Sequence, residues 1–125
     1  MREFKFRAWH SGNTDMSGSY AGYVAPQMIY ETYSGECFAW KNLGQPIRIM
    51  QSTGLKDKSG KEIYEGDCLY DDGNDEYFQV WFNGAVGVWT ITDSDGVSEL
   101  LGDYNESCSV VGNIYENSEL LNRGV

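Results

Sequence analysis

Three glycines six residues apart, Gly54, Gly60 and Gly66, punctuate the stretch Met50–Leu69 and set what it can fold into. Gly60 follows three polar residues, Asp57-Lys58-Ser59. That composition predicts a type I turn closed by a residue at positive φ. Glycine takes that conformation without the Cβ clash that costs other residues about 1–2 kcal/mol. Leu55 and Ile63 then flank a tight turn and can meet across it. Gly66-Asp67 reads as a second turn, feeding a strand that begins at Cys68-Leu69-Tyr70. Lys56, Lys58 and Lys61 lie near Glu62, Glu65 and Asp67. Exposed ion pairs of this kind contribute about 0–1 kcal/mol each, so they are assigned to solubility and register. The stretch reads as a folding device and displays no reaction chemistry.

The flanking sequence is strand-like. Phe4, Phe6 and Ala8 alternate with Lys5, Arg7 and Trp9, the pattern of a half-buried strand. Residues 10–22 are rich in Gly, Ser, Asn and Asp and read as a long loop. Met28–Tyr33 and Glu36–Trp40 form a candidate hairpin about Ser34-Gly35, and Ile47–Met50 follows as a fourth strand. Further on, strands are expected at 67–70, 77–82, 86–92, 97–101 and 109–115. Asp71–Glu76 and Asp93–Gly96 are acidic turns. Asn83-Gly84 is the strongest hairpin signal and predicts a two-residue type I′ turn. Asn117 is a candidate N-cap for one helical turn, Ser118–Leu121.

These strands imply an all-β chain of two lobes. Residues 1–53 form a small antiparallel sheet. Residues 54–125 form a five-stranded SH3-like barrel with a short C-terminal helical turn. The chain has 125 residues, 41% hydrophobic and 14% aromatic, which suffices for a packed core.

The run Met50-Gln51-x-Thr53-Gly54-Leu55-x-Asp57-Lys58-x-Gly60-Lys61-Glu62-Ile63-Tyr64-Glu65-Gly66-Asp67 resembles the signature of the YopX family of phage and prophage proteins. Lys5-Phe6-Arg7-Ala8-Trp9 is similar to that family's opening strand. Val111-Gly112-Asn113-Ile114-Tyr115-Glu116-Asn117 with Glu119-Leu120-Leu121 is similar to its closing strand and tail. Ser118 stands where the family usually has proline, the residue suited to a first helical position. The resemblance implies a small β-rich phage or prophage protein of unassigned activity, and it carries no catalytic residues with it.

Charge narrows the partners. Residues 1–61 carry a net +3 and residues 62–125 a net −13, within a total of −10. This balance argues against general nucleic-acid binding, which needs a basic face. The acidic half is either a solvated surface or a docking face for a basic partner, including the basic half of another copy. Cys37, Cys68 and Cys108 form no Cys-x-x-Cys and read as reduced core thiols of a cytoplasmic protein. No apolar run suggests a signal peptide or a membrane span.

No metal site is expected. His10 is the single histidine and the cysteines are scattered. Counted from Asp72, the sixth position is Tyr77 and the twelfth Asn83, where a calcium-binding EF-hand loop needs Gly and Glu. Counted from Asp93, the fifth is Val97. No nucleophile elbow, phosphate loop or dinucleotide fingerprint is present, so neither catalytic residues nor a cofactor are assigned. Tyr77, Phe78, Trp81, Phe82 and Trp89 cluster about Asn83-Gly84, and one or two of them are expected at the surface as a partner contact. The expected function is that of a non-enzymatic protein–protein interaction or homo-oligomerisation module, binding copies of itself or a host or phage protein. The alternative is an acidic decoy that mimics nucleic acid and occupies a basic protein.

Overall fold

The structure, a computed structural model, describes residues 5–12, 25–30, 47–117 and 119. The chain divides into a compact unit of Glu3–Gln51 and a second formed mainly by Ser52–Val125. In the first, strand β1 (Phe6–His10) pairs antiparallel with β2 (Gln27–Tyr30) on one side and with the first half of β3 (Ile47–Lys56) on the other. Ala8 and Ile47 are buried, with Phe6 and Ile49 packed on them. The expected alternation along β1 does not hold, because Arg7 and Ala8 are both buried. β1 is flanked by strands on both edges, and Arg7 sits directly opposite Tyr30. Its guanidinium carbon lies 5.9 Å from the Tyr30 ring centroid, and Nη1 donates to the Tyr30 hydroxyl at 3.4 Å. A planar guanidinium can stack in this way where an ammonium cannot. The expected Glu36–Trp40 strand, with Cys37, lies outside the described residues.

In the second unit β3 continues past the expected stop at Met50. Its last residues pair with β4 (Glu62–Tyr64) through a register shift between Ser52 and Lys56. Gly54, at φ +80°, lies within that shift. The Ser52 and Thr53 hydroxyls accept the amides of Gly54 and Leu55, and the Thr53 hydroxyl also donates to the Ile63 carbonyl at 2.8 Å. A glycine in left-handed conformation bends the strand without ending it.

Beyond β4 runs an antiparallel meander: β5 (Asp67–Asp71), β6 (Glu76–Asn83), β7 (Val88–Asp93) and β8 (Ser98–Leu100). Two 3-10 turns, Leu101–Asp103 and Asn105–Ser107, lead into β9 (Ser109–Asn113), which returns to the free side of β5. The sheet order is β8-β7-β6-β5-β9. Ile63, Leu69, Phe78, Val80, Ile91, Leu101 and Cys108 form its core, with Leu55, Trp89, Tyr104 and Val110 against it. Leu69, Phe78, Val80 and Ile91 share one face because Leu69 opposes Phe78 and Val80 opposes Ile91.

Side-chain oxygens close the corners. Asp57 and Asp93 begin the same five-residue turn. In each, the aspartate Oδ1 accepts amides two and four residues on, and its carbonyl accepts the amide of a glycine at φ +86° (Gly60) or +85° (Gly96). This is the turn expected at Asp57. Asp67 accepts the Tyr64 amide at 2.8 Å, Asp71 that of Gly73, and Asn113 those of Tyr115 and Glu116. The hairpin after β6 departs from the expected type I′ turn. Asn83 pairs with Val88, so the loop is Gly84–Gly87, with Gly87, not Gly84, at positive φ (+70°). Asn83 Oδ1 accepts the Ala85 amide, and its carbonyl accepts those of Val86 and Gly87. A capping Asn at the loop start selects the longer loop. β9 ends at Asn113, before the expected Tyr115, because the turn there is capped by Asn113. Asn117 points its side-chain oxygen back to the Asn113 amide at 3.3 Å. Of the expected helical turn, Ser118, Leu120 and Leu121 lie outside the described residues.

Asp57 does more than close its own turn. Its Oδ2 accepts the Val110 amide at 2.8 Å, 53 residues away. The Lys58 amide donates to the Cys108 carbonyl at 3.0 Å, and Asn105 Nδ2 to the Lys56 carbonyl at 2.7 Å. Partial burial acts to raise the Asp57 pKa. The amides of Val110, Lys61 and Ser59, with the Lys61 charge, outweigh it and hold the carboxyl below its ordinary value of 3.8. Asp57→Ala is therefore expected to destabilise the protein by about 3 kcal/mol, read as a lower urea midpoint, since three amides lose a charged acceptor. The pH dependence follows in sign. The folded value is depressed, so the contribution is complete above the unfolded value, falls as pH drops below it, and is gone beneath the folded value. Asp57→Asn should flatten that acid limb in urea titrations. At Gly112 an added Cβ would strike the Asn117 side chain. Gly112→Ala should cost about 1–3 kcal/mol, and Asn117→Gly in the same chain should recover part of it.

Candidate functional site

The 57–61 turn and the second 3-10 turn leave a shallow, open hollow between them. It is lined by Gly54, Leu55, Lys56, Asp57, Lys58, Gly60, Asn105 and Glu106 and encloses about 560 Å³. Both buried polar groups in the wall are committed: the Asp57 carboxylate to three amides, and the Asn105 amide to the Lys56 carbonyl. Lys58 Nζ reaches Asp72 Oδ2 at 3.1 Å, so it bridges to the β5–β6 turn instead of the nearby Glu62, Glu65 or Asp67 expected from sequence. That contact, a hydrogen bond and a charge, keeps the Asp72 carboxyl low.

The acidic turns are occupied by their own backbone. Asp71 Oδ1 takes the Gly73 amide and Oδ2 the Asn74 side-chain amide. Asp75, in left-handed conformation at φ 51°, accepts the Tyr70 hydroxyl at 2.9 Å. Asp93 is held by the amides of Asp95 and Val97. Across the sheet Glu76 shows the effect of crowded charge. Desolvation first, then Asp93, Asp95 and Asp71, push its carboxyl up from 4.5. Among the described residues no three His, Cys, Asp or Glu side chains are grouped to hold a metal. His10 is buried, and its Nδ1 accepts the Gly12 amide at 3.0 Å. Cys68 and Cys108 are fully buried free thiols, Cys68 on β5 and Cys108 just before β9. Among the described residues no helix is long and apolar enough to cross a membrane.

Exposed apolar side chains occur at the β6–β7 hairpin and, separately, about β8. Phe82 is 46% exposed and Val86, at the hairpin tip, 68%. Phe82 meets Trp89 edge-on, with ring centroids 5.0 Å apart. On β8 and the turn before it, Leu100 is 49% and Val97 53% exposed. Of the five aromatics singled out in the sequence, Phe78 is buried, Tyr77, Trp81 and Trp89 are half-buried, and Phe82 is at the surface. The Trp81 indole donates to the Thr92 hydroxyl at 2.8 Å and so lies across the outer face. Sequence reasoning expected the strand at 97–101 but did not mark β8, whose residues are all exposed, as a candidate surface. The signal was present, since Ser98-Glu99 falls between apolar Val97 and Leu100-Leu101.

The model of the YopX protein family matches residues 5–122. The chain belongs to the YopX family. The YopX signature residues are those that tie the second unit together: Thr53 and Gly54 at the bulge, Asp57 and Gly60 in the stitched turn, Gly66 and Asp67 at the entry to β5. Gly66, at φ +87°, donates to the Val80 carbonyl and accepts from the Ile114 amide. Among solved structures, the chain is similar to the crystal structure of protein EF1440 from Enterococcus faecalis. The identity is 29%, with 97% of this chain and 99% of that chain covered and a TM-score of 0.57. No curated protein matches the chain.

Burial drives the thiols of this YopX protein up, Cys68 to about 12, with Asp67 and Glu119 adding to it, and Cys108 to about 11. Reaction needs the thiolate, which these values suppress at neutral pH. Iodoacetamide at pH 8 should leave both unmodified in the folded chain and alkylate both in urea, as read by peptide mass spectrometry.

Proposed function

We propose that this YopX protein is a non-enzymatic protein–protein interaction module of a phage or prophage, acting in the bacterial cytoplasm. The observation that carries the reading is the pair of exposed apolar side chains at the β6–β7 hairpin, Phe82 and Val86, with Val97 and Leu100 also exposed about β8. Single exposed apolar residues are ordinary, but neighbouring ones at one hairpin favour a docking surface. The committed carboxylates of the turns support the non-enzymatic part. A working acid or base needs a carboxyl within reach of substrate, and Asp57, Asp71 and Asp93 each spend theirs on backbone amides. We read β5–β9, with 3-10 turns between β8 and β9, as SH3-like. That likeness is one of fold and carries no function by itself.

The acidic decoy is a second reading, and the net charge of −13 over residues 62–125 favours it. The two differ in salt response. A decoy releases a basic partner steeply as ionic strength rises, whereas an apolar contact holds.

A photoreactive benzophenone amino acid in place of Val86 or Val97, in the full chain in its bacterial host, tests the module. Cross-linked products are expected at both positions and not with the probe in place of exposed Lys61. A product of twice the chain mass would make the partner a second copy. Absence of product at both positions would overturn the reading.

A further inference from the structure

β8 is an edge strand of the five-stranded sheet. The Asp93 amide donates to the Val97 carbonyl at 3.0 Å, and Ile91 is opposite Glu99. Residues facing each other in an antiparallel ladder alternate between bonded and non-bonded pairs. Asp93/Val97 and Ile91/Glu99 are therefore the bonded pairs. Ser98 and Leu100, opposite Thr92 and Thr90, turn their amides away from β7, and Ser98 its carbonyl too, while the Leu100 carbonyl is taken by the 3-10 turn it begins. All of β8 is exposed. Natural edge strands are blunted by lysine, proline, a bulge or a cover. β8 has neither lysine nor proline, and its safeguards are its brevity and the charge of Glu99.

The chemistry around this rim selects an occupant. Glu99 lies on it, and Asp93 and Asp95 lie in the turn that enters it. Val97 and Leu100 supply apolar surface at either end. A second copy fits badly. The two-fold register that uses both outward amides sets Ser98 against Leu100 of the copy, which seats Glu99 directly opposite the copy's Glu99. Like charges opposed in this way destabilise a strand pair. A segment with a cation at that position gains where the copy loses.

Resting on the interaction reading above, we propose that the open rim of β8 takes an extended, basic segment of another polypeptide as a sixth strand. The Ser98 amide and carbonyl and the Leu100 amide supply the main-chain hydrogen bonds, and Glu99 selects Lys or Arg across from it.

The full chain, labelled with nitrogen-15, is titrated with two capped hexapeptides, one alternating Lys and Val and one alternating Glu and Val. With the Lys peptide at ten times its Kd, exchange of the Ser98 and Leu100 amides should slow about tenfold. The Glu99 amide, already bonded to β7, should not change, and the Glu peptide should protect none of them. Leu100 has φ −76°, ψ 129°, so Leu100→Pro fits the backbone and removes only an outward donor. It should weaken Lys-peptide binding about fivefold, the worth of one hydrogen bond, and more than Leu100→Ala does. Glu99→Lys, which leaves the backbone untouched, should reverse the preference between the peptides. The proposal is overturned if the Lys peptide protects neither amide, or if Glu99→Lys leaves the preference as it was. It is also overturned if light scattering shows a dimer that Leu100→Pro dissolves, since the occupant is then a second copy. Persistence of the Val86 cross-links in the face of those results would leave the module reading standing and remove only the edge-strand mode.

Discussion

The second unit depends on carboxylate and carboxamide oxygens that accept backbone amides at its corners. A chain that reverses direction this often leaves amides at each turn with no partner in the ladder. Buried or half-buried, each would cost free energy comparable to a lost hydrogen bond. Asp57, Asp67, Asp71, Asn83, Asp93 and Asn113 each take up one or more of them. Asp57 is the extreme case, since its second oxygen reaches β9. Part of the acidity of residues 62–125 is thus internal to the fold, because Asp67, Asp71 and Asp93 serve their own turns before they serve any partner.

Much of the fold was legible. Glycine and aspartate in the 57–60 and 93–96 stretches marked the turns, and the apolar runs between turn signals marked β6, β7 and β9 to within a few residues. Three things were not. Gly54 looked like a boundary, but a left-handed glycine can bend a strand that continues, and only the register shift opposite β4 separates the two cases. Asn83-Gly84 looked like a type I′ turn, but that motif competes with Asn acting as a side-chain cap of a longer loop, and sequence does not rank them. Arg7 looked solvated by alternation, which assumes a strand with one wet face, whereas β1 has strands on both sides and an aromatic directly opposite. The candidate surface was half legible. The aromatic cluster pointed to the right hairpin, but which ring is exposed depends on distance from the hairpin tip, so Phe82 is open where Phe78 on the same face is closed.

The YopX signature therefore reads as the specification of a fold. Its Thr53, Asp57 and Asp67 are turned inward and spent on main chain, and its glycines occupy backbone positions that other residues enter only with strain. A scaffold defined in this way leaves the β6–β7 hairpin and β8 free to differ without disturbing what holds the unit together. That division of labour suits an interaction protein, in which surface and support answer to different demands.

The bond from Val110 to Asp57, with the one from Lys58 to Cys108, has a bearing on how the protein is made. Synthesis delivers residue 57 to solvent well before residue 110 leaves the ribosome, at about 5–20 residues per second. Until then the second Asp57 oxygen and the Lys58 amide lack the partners they have in the folded protein. The second unit is accordingly completed from its far end. Whatever shields nascent chains in the cell would have to wait for the last strand before letting go.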